Sequence, residues 1–214
     1  IIHRALNERL KMRLNLASNN QESDYSFTEA FRYANVYNPT SPTRFENGNF
    51  VQPILFDNFN PLAIVELNTN EGQSKNLSYN VQADYDITNK FRLSANIGQH
   101  FQSSSLGEFY PSTSFFRGIQ RDGLARRSFN EDKFTFFETR GNYLRSFGDK
   151  IIIGALAGYS FQEYFNEVLT LELGNLPSDD LGYYGIDLSG DRVLGNPNNV
   201  FVDSYATPQE RIVS

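Results

Sequence analysis

The stretch LSYNVQADYDITNKFRLSANIG, residues 77–98, decides the fold because its apolar residues recur at every second position. Odd positions from Leu77 to Ile87 are apolar or aromatic and the even ones between them are polar, and after a short turn the alternation resumes from Phe91 to Ile97. A period of two is typical of strands with one buried face, so the stretch predicts an antiparallel hairpin. Its apolar face can pack in the core of a soluble sandwich or can face lipid.

The same alternation occurs in RLKMRLNLAS, residues 9–18, and in two arms of residues 134–165 that flank the turn SFGD. The turns predicted near residues 6–9, Thr88 and Gly148 are short. In contrast, the connections predicted at the other strand ends are long and rich in Asn, Gly and Pro. One of them contains SFTEAFRYAN, which predicts a short helix. The predicted long connections are residues 19–76, 102–131 and 173–208.

Strand length and loop asymmetry favour a membrane barrel over a sandwich. The arm from Leu77 to Ile87 spans about 36 Å, which a 45° tilt reduces to about 25 Å, the height of the apolar band of such a barrel. Short turns on the periplasmic side and long loops outside are typical of outer-membrane barrels. We therefore predict an all-β fold, an antiparallel transmembrane β-barrel segment occupying residues 1–214, with a secreted soluble β-sandwich as the alternative.

Composition is compatible with this fold and excludes several functions. Mean hydropathy is −0.48, which a barrel shares with soluble proteins because every second strand residue faces water. The net charge of −6 argues against nucleic-acid binding, and the absence of cysteine excludes disulfides, thiol catalysis and thiolate metal sites. The chain starts without a methionine or a signal region and stops as a new alternating run begins, which indicates a piece of a longer protein.

The polar positions of the strands predict the wall of a hydrated channel. An arginine or lysine facing lipid at the midplane costs about 2 to 4 kcal/mol, so charged strand residues are expected to face the lumen. Structural pairing inside the barrel is the equal alternative for these residues. The predicted lumen-facing residues are Asn80, Gln82, Asp84, Arg92, Glu138 and Arg140.

A second candidate set lies in the predicted connection 102–131, where arginines have aromatic neighbours. Arginine beside an aromatic ring can stack on a sugar or pair with a substrate carboxylate, although such a stretch is more often a solvated turn. The candidate ligand-contacting loop residues are Tyr110, Phe115, Phe116, Arg117, Arg121, Arg126 and Arg127.

Nothing in the sequence predicts catalysis, a cofactor or a metal. His3 and His100 are far apart and lack partners at metal-ligand spacing, and no serine lies in a nucleophile elbow. The acidic pair Asp179 and Asp180 lies in a polar loop, where carboxylates usually serve as solvated charges. The run DLSGD, residues 187–191, resembles a calcium loop only faintly because it lacks a third acidic position and a terminal glutamate.

Three stretches resemble a known family. They are YNPTSPTRFENGNFVQP with the following FNPLAIVELNTNEG, the strand FTFFETRGNYLRSF, and KIIIGALAGYSFQEYFNEVLTLELGNLPSDDLGY. The last is similar to a strand with a G-Y-x-x-Q-E core that leads to a Pro-Ser/Thr-Asp step. In this order the stretches resemble SusC/RagA-type TonB-linked outer-membrane transporters of Bacteroidetes. The matching positions are Gly158, Tyr159, Gln162, Glu163, Pro177, Ser178 and Asp179.

This resemblance implies the middle of a barrel of about 22 strands in the bacterial outer membrane, surrounded by outer-membrane lipids. The family imports bulky nutrients such as oligosaccharides or peptides, is energised by the TonB complex through parts outside this chain, and usually works with a SusD-like surface lipoprotein. A passive porin-like barrel is the second alternative, and an enzyme has no support in the sequence.

Overall fold

The computed structural model describes residues 1–53, 58–148, 150–193, 201–206 and 210–213, and its strands form one antiparallel sheet. Strands β1 to β7 lie side by side in chain order, and β8 pairs with β6 below β7. No helix among the described residues is long and apolar enough to cross a membrane. The strands are β1 Ile2–Ala5, β2 Leu10–Asp24, β3 Thr69–Thr88, β4 Phe91–Tyr110, β5 Leu124–Phe147, β6 Ile151–Gly174, β7 Phe201–Ala206 and β8 Glu210–Val213.

The predicted hairpin and its neighbours are confirmed. Strands β3 and β4 are joined at residues 89–90, where the Thr88 hydroxyl accepts the backbone N–H groups of Lys90 and Phe91 at 3.2 and 3.1 Å. The predicted short turn at residues 6–9 joins β1 to β2, and the one at Gly148, whose φ is +63°, joins β5 to β6. All three short turns therefore lie at the same end of the sheet, with the long connections at the other end.

The predicted long connections are wrong at their boundaries because the strands continue well past their apolar stretch. Both faces of these extensions carry mostly Ser, Asn, Gln and charged residues, so the hydrophobic alternation lapses while the ladder of backbone pairing persists. Tyr110 is accordingly the last residue of β4, and Arg126 and Arg127 are residues of β5 rather than of a loop. The connections are residues 25–68, 111–123 and 175–200, of which 54–57 and 194–200 lie outside the described residues.

The first long connection contains the predicted helix. It is α1, Glu29–Val36, and it is followed by α2, Pro61–Leu67. Asn60 caps α2 because its side-chain oxygen accepts the N–H groups of Leu62 and Ala63, and Pro61 begins the helix without needing a donor. Later connections contain 3-10 helices at Ile119–Arg121 and Asp179–Leu188 and a short helix α3, Gly190–Val193.

The loops bury two separate apolar clusters on opposite faces of the strand tips. We call them the inner cluster and the outer cluster. The inner cluster is Phe27, Ala30, Tyr33, Ile64, Tyr110, Phe116 and Leu124, with Phe59 against it. The outer cluster is Phe109, Ala125, Leu173, Leu176, Tyr183 and Ile186, with Leu171 against it.

Candidate functional site: the polar face of the sheet

The register of the sheet separates an apolar face from a polar one. Residues that oppose each other directly in an antiparallel ladder lie on the same face, so each rank of partners can be followed across the strands. The rank through Leu14 runs over Val81, Ile97, Phe137 and Phe161. The adjacent rank runs over Arg13, Gln82, Asn96, Glu138 and Ser160.

The apolar face is exposed in this chain, and its apolar stretch lies lower on β5 and β6 than on β3 and β4. On β3 it covers Leu77 to Ile87, whereas on β6 it covers Ile151 to Phe161 and is interrupted at Glu163, before Phe165. Leu77 shares its rank with Phe165, so the stretch has moved down by four residues over three strands. That is about 13 Å along the strands for about 14 Å across them, which is equivalent to a strand tilt of about 40°.

The predicted lumen-facing residues all lie on the opposite, polar face, and several are paired. Asn80 donates to Asn96 at 2.6 Å. Asp84 accepts from Gln82 at 3.1 Å and from Ser94 at 2.7 Å. Structural pairing, the alternative that the sequence left open, therefore applies to this part of the set.

Arg92 is also paired, whereas Glu138 and Arg140 are not. Arg92 binds both carboxylate oxygens of Asp86, at 2.6 and 3.1 Å. Within the described part of the chain, the side chains of Glu138 and Arg140 are exposed and make neither a hydrogen bond nor an ion pair. These two opposite charges are available to an approaching molecule.

Glu138 and Arg140 border a hollow of about 400 Å³ in the polar face. Its floor is at Gly158 of β6, which has no side chain to fill the space. A Cβ at this position would lie 3.3 Å from the Thr139 carbonyl oxygen. Gln82 and Asn96 line the opposite side, so the hollow offers one anion, one cation and neutral amides. Such a set can hydrogen-bond polyols or peptide groups.

A second hollow on the polar face, of about 350 Å³, lies at the end with the short turns. It is lined almost entirely by charges, with more cations than anions. Of this set only Asp84 and Arg92 were predicted from the sequence as lumen-facing. The turn at residues 6–9 brings the β1 side chains beside β2 and so completes the hollow. The lining residues are Arg4, Glu8, Arg9, Lys11, Arg13, Asp84, Asp86 and Arg92.

The candidate ligand-contacting residues do not form one surface. Tyr110 and Phe116 are buried in the inner cluster, and Phe115 beside them is exposed. Arg117 donates to the Tyr110 hydroxyl at 3.0 Å and to Glu29 at 3.2 Å. These partners indicate packing and loop anchoring, and ligand contact at Phe115 and Arg117 stays a prediction.

The other three arginines diverge although they are close in sequence. Arg121 pairs with Asp191 at 2.8 Å, and Arg126 pairs with Glu108 at 3.4 Å on the polar face. Arg127 points to the other face, where its guanidinium lies 5.0 to 5.5 Å from the ring centroids of Phe129, Tyr183 and Tyr184. Alternation along β5 separates the two adjacent arginines.

The residues of the G-Y-x-x-Q-E core are divided between the two faces of β6. Gly158 and Gln162 lie on the polar face, whereas Tyr159 and Glu163 lie on the apolar one. Asp179, at the end of the Pro-Ser-Asp step, accepts the backbone N–H of Ser112 at 2.9 Å and its hydroxyl at 2.8 Å. The step thereby anchors the third long connection to the second.

Tyr183 and Tyr184 were not singled out by the sequence because nothing in their loop predicts which strands it covers. The Tyr183 hydroxyl donates to Glu71 at 2.8 Å, and its ring lies 4.4 Å from that of Tyr184. Burial is the main cause that raises the pKa of Tyr183, and the hydrogen bonds with Tyr184 and Glu71 raise the pKa further.

No group of three or more histidine, aspartate or glutamate side chains is close enough to hold a metal ion in the described ranges. In the run DLSGD, the faint calcium-loop candidate, the carboxylate of Asp191 accepts hydrogen bonds from the Arg121 guanidinium and from the backbone N–H of Gly174, the latter at 2.9 Å.

Comparison with known proteins gives similarity of fold. No family model and no curated protein matches this chain. Among solved structures, a chain of the RagAB peptide transporter superposes with a TM-score of 0.65 at 17% identity, covering 98% of this chain and 24% of that one. A chain of the RagAB peptide importer in its open-open state gives 0.68 at 17% identity, covering 100% and 23%. The chain thus spans about a quarter of the length of these transporter chains and shares their fold over that part.

Proposed function

We propose that this chain is part of the barrel wall of a TonB-linked importer in a bacterial outer membrane, with its polar face toward the lumen. The observation that carries the proposal is the diagonal shift of the apolar stretch from β3 to β6. A membrane of constant height crosses tilted strands at successively different residues, whereas the core of a soluble sandwich has no such constraint. The tilt of about 40° lies within the range of transmembrane barrels.

The cargo is a bulky nutrient, either an oligosaccharide or a peptide, and the role is transport rather than catalysis. The similar solved chains belong to a peptide transporter, which supports a peptide, and the hollow between Glu138 and Arg140 offers charges of both signs for its groups. Partners are a SusD-like surface lipoprotein at the end with the long loops and the TonB complex, reached through parts of the protein outside this chain.

The test compares adjacent residues of β3 in the full-length protein. Val81→Arg places a charge on the lipid side, at a cost of about 2 to 4 kcal/mol near the midplane, and is expected to abolish assembly into the outer membrane. Gln82→Arg places the same charge in the lumen and is expected to assemble normally. Assembly is measured by the heat-sensitive electrophoretic mobility of the folded barrel. Equal tolerance of both variants contradicts the lipid-facing assignment.

Uptake separates an importer from a passive barrel. With assembled wild-type protein, accumulation of cargo is expected to stop when TonB is deleted, whereas a porin continues to conduct. The soluble alternative is tested by the isolated chain, which we expect to aggregate without detergent because it exposes an apolar face and strand edges. A soluble monomer contradicts the barrel.

A further inference from the structure

A cavity of about 340 Å³ lies on the outer face, above the apolar stretch. Its strand residues lie on the same face as the proposed lipid-facing ones: Glu71 is on the same face of β3 as Leu77, six residues farther toward the long loops. Six residues correspond to about 20 Å along the strand and about 15 Å in height at the tilt given above. The cavity is therefore outside the lumen and above the lipid, where the sugars of an outer membrane lie, a location that rests on the proposed function.

Two sides of the cavity carry opposite charges. Glu22, Asp24 and Glu71 lie on the β2 and β3 side. Arg127 lies on the β5 side, about 10 Å from β3 and about 14 Å from β2 across two and three strand spacings. Neither a simple anion nor a simple cation suits both sides, because each is repelled by one of them. A neutral polyol suits both, since its hydroxyl groups donate to carboxylates and accept from a guanidinium.

The third side is aromatic. Tyr183 is buried against Gly107, while the side chain of Tyr184 is 69% exposed beside it. An exposed tyrosine ring next to polar groups combines an apolar surface with hydrogen bonding, the combination that a pyranose ring needs. Stacking on Tyr184 can bury the C–H face of the sugar while its hydroxyl groups reach the polar sides.

Arg127 is the cation of the cavity, and its side chain makes neither a hydrogen bond nor an ion pair among the described residues. Its Nε is buried and has no hydrogen-bond partner among the described residues. Its guanidinium is held against aromatic rings instead of a carboxylate. Because Arg127 lines the cavity, its guanidinium can donate to the hydroxyl oxygen of a ligand there.

We propose that this cavity is a binding site for a neutral sugar unit on the outer surface of the barrel, separate from the transport path. The ring stacks on Tyr184, Arg127 donates to its oxygen atoms, and the carboxylates of Glu22 and Asp24 accept its hydroxyl protons. The sugar comes either from a glycolipid of the surrounding membrane or from a free glycan.

The experiment measures saturation-transfer NMR signals of maltose, lactose and cellobiose with the full-length protein in detergent micelles. Tyr184→Ala is expected to weaken binding at least about tenfold, and Asp24→Asn severalfold, while Phe31→Ala, at an exposed aromatic residue of α1, leaves it unchanged. Unchanged binding in Tyr184→Ala, or binding of arginine amide instead of the sugars, overturns the proposal. Asp24→Asn keeps the test decisive if Tyr184→Ala does not fold.

A second measurement identifies the source of the sugar. Lipopolysaccharide with complete outer sugars is expected to co-purify with wild-type protein more than with Tyr184→Ala if a glycolipid is the ligand, and equally if the ligand is a free glycan. These outcomes distinguish failure of the sugar site from failure of the proposed function. A protein that assembles as a barrel but binds no sugar contradicts only the sugar site, whereas a protein that is soluble without detergent contradicts the barrel.

Discussion

The inner and outer clusters are built from neighbouring residues of the same two strands, yet they differ in composition and closure. Phe109 and Tyr110 end β4, and Leu124 and Ala125 begin β5. Because strand side chains alternate, one residue of each pair enters each cluster. The period of two that separates the apolar from the polar face lower in the sheet thus also divides the loops: the first and second long connections pack over the polar face and the third over the apolar face.

The inner cluster is mainly aromatic and closed. Phe116 is its centre, with ring centroids 5.5 to 6.4 Å from those of Phe27, Tyr33, Phe59 and Tyr110. The outer cluster is mainly aliphatic at its base and ends in the open cavity beside Tyr184. The closed cluster anchors the first long connection over the polar face, whereas the outer cluster leaves an open cavity beside Tyr184.

The largest expected effect is from Phe116→Ala, which removes the centre of the inner cluster. Truncating a buried phenylalanine costs about 3 to 5 kcal/mol, and the loss is expected as detachment of residues 25–68 while the barrel stays assembled. Limited proteolysis of the full-length protein in detergent measures it. Phe115→Ala is the matched control because Phe115 is exposed. Equal protease sensitivity of the two variants contradicts the assigned role of the cluster.

Much of the fold was predictable because burial of one strand face leaves a strict alternation. The arms of residues 77–98 and the turns at Thr88 and Gly148 follow from that alternation and from turn residues. The outer halves of β2 to β5 were not predictable, since both of their faces are mostly polar and the strands continue there through backbone pairing with their neighbours.

The candidate site divides in the same way. Which face Gln82 or Glu138 occupies follows from its position in the alternation, so the polar set was found from the sequence. The divergence of Arg126 and Arg127, and the approach of Tyr183 to Gly107, depend on how the third long connection folds back over β4 and β5. Local sequence contains no signal for that contact, because it joins residues more than 70 positions apart.

A matched pair of glycines tests how firmly each face is covered. A Cβ at Gly107 would lie 2.6 Å from the Tyr183 ring, and a Cβ at Gly72 would lie 2.6 Å from the Tyr25 ring. Tyr183 is buried, so Gly107→Ala is expected to cost about 1 to 3 kcal/mol by overpacking. Tyr25 is exposed and can rotate away, so Gly72→Ala is expected to be nearly neutral.

The glycine variants are compared by urea unfolding of the full-length protein in detergent, followed by protease cleavage at each loop. Gly107→Ala is expected to lower the stability clearly and to increase protease cleavage only within residues 175–193. Gly72→Ala is expected to change neither measurement appreciably. A larger loss of stability for Gly72→Ala than for Gly107→Ala contradicts the expectation that Tyr183 is held more rigidly against Gly107 than Tyr25 is against Gly72.

The smallest expected effect concerns the proton of Tyr183. Because the pKa of Tyr183 is raised above the usual 10.0, the folded protein retains this proton at pH values at which the unfolded chain has lost it. Its contribution to stability is therefore complete below about pH 10 and is lost as the pH rises toward the folded pKa. Tyr183→Phe removes this pH dependence and the hydrogen bond to Glu71, at a cost of about 1 kcal/mol at neutral pH. The ultraviolet absorbance of tyrosinate measures the difference between wild type and variant, and a difference that titrates at the usual tyrosine pKa contradicts the buried, hydrogen-bonded state of Tyr183.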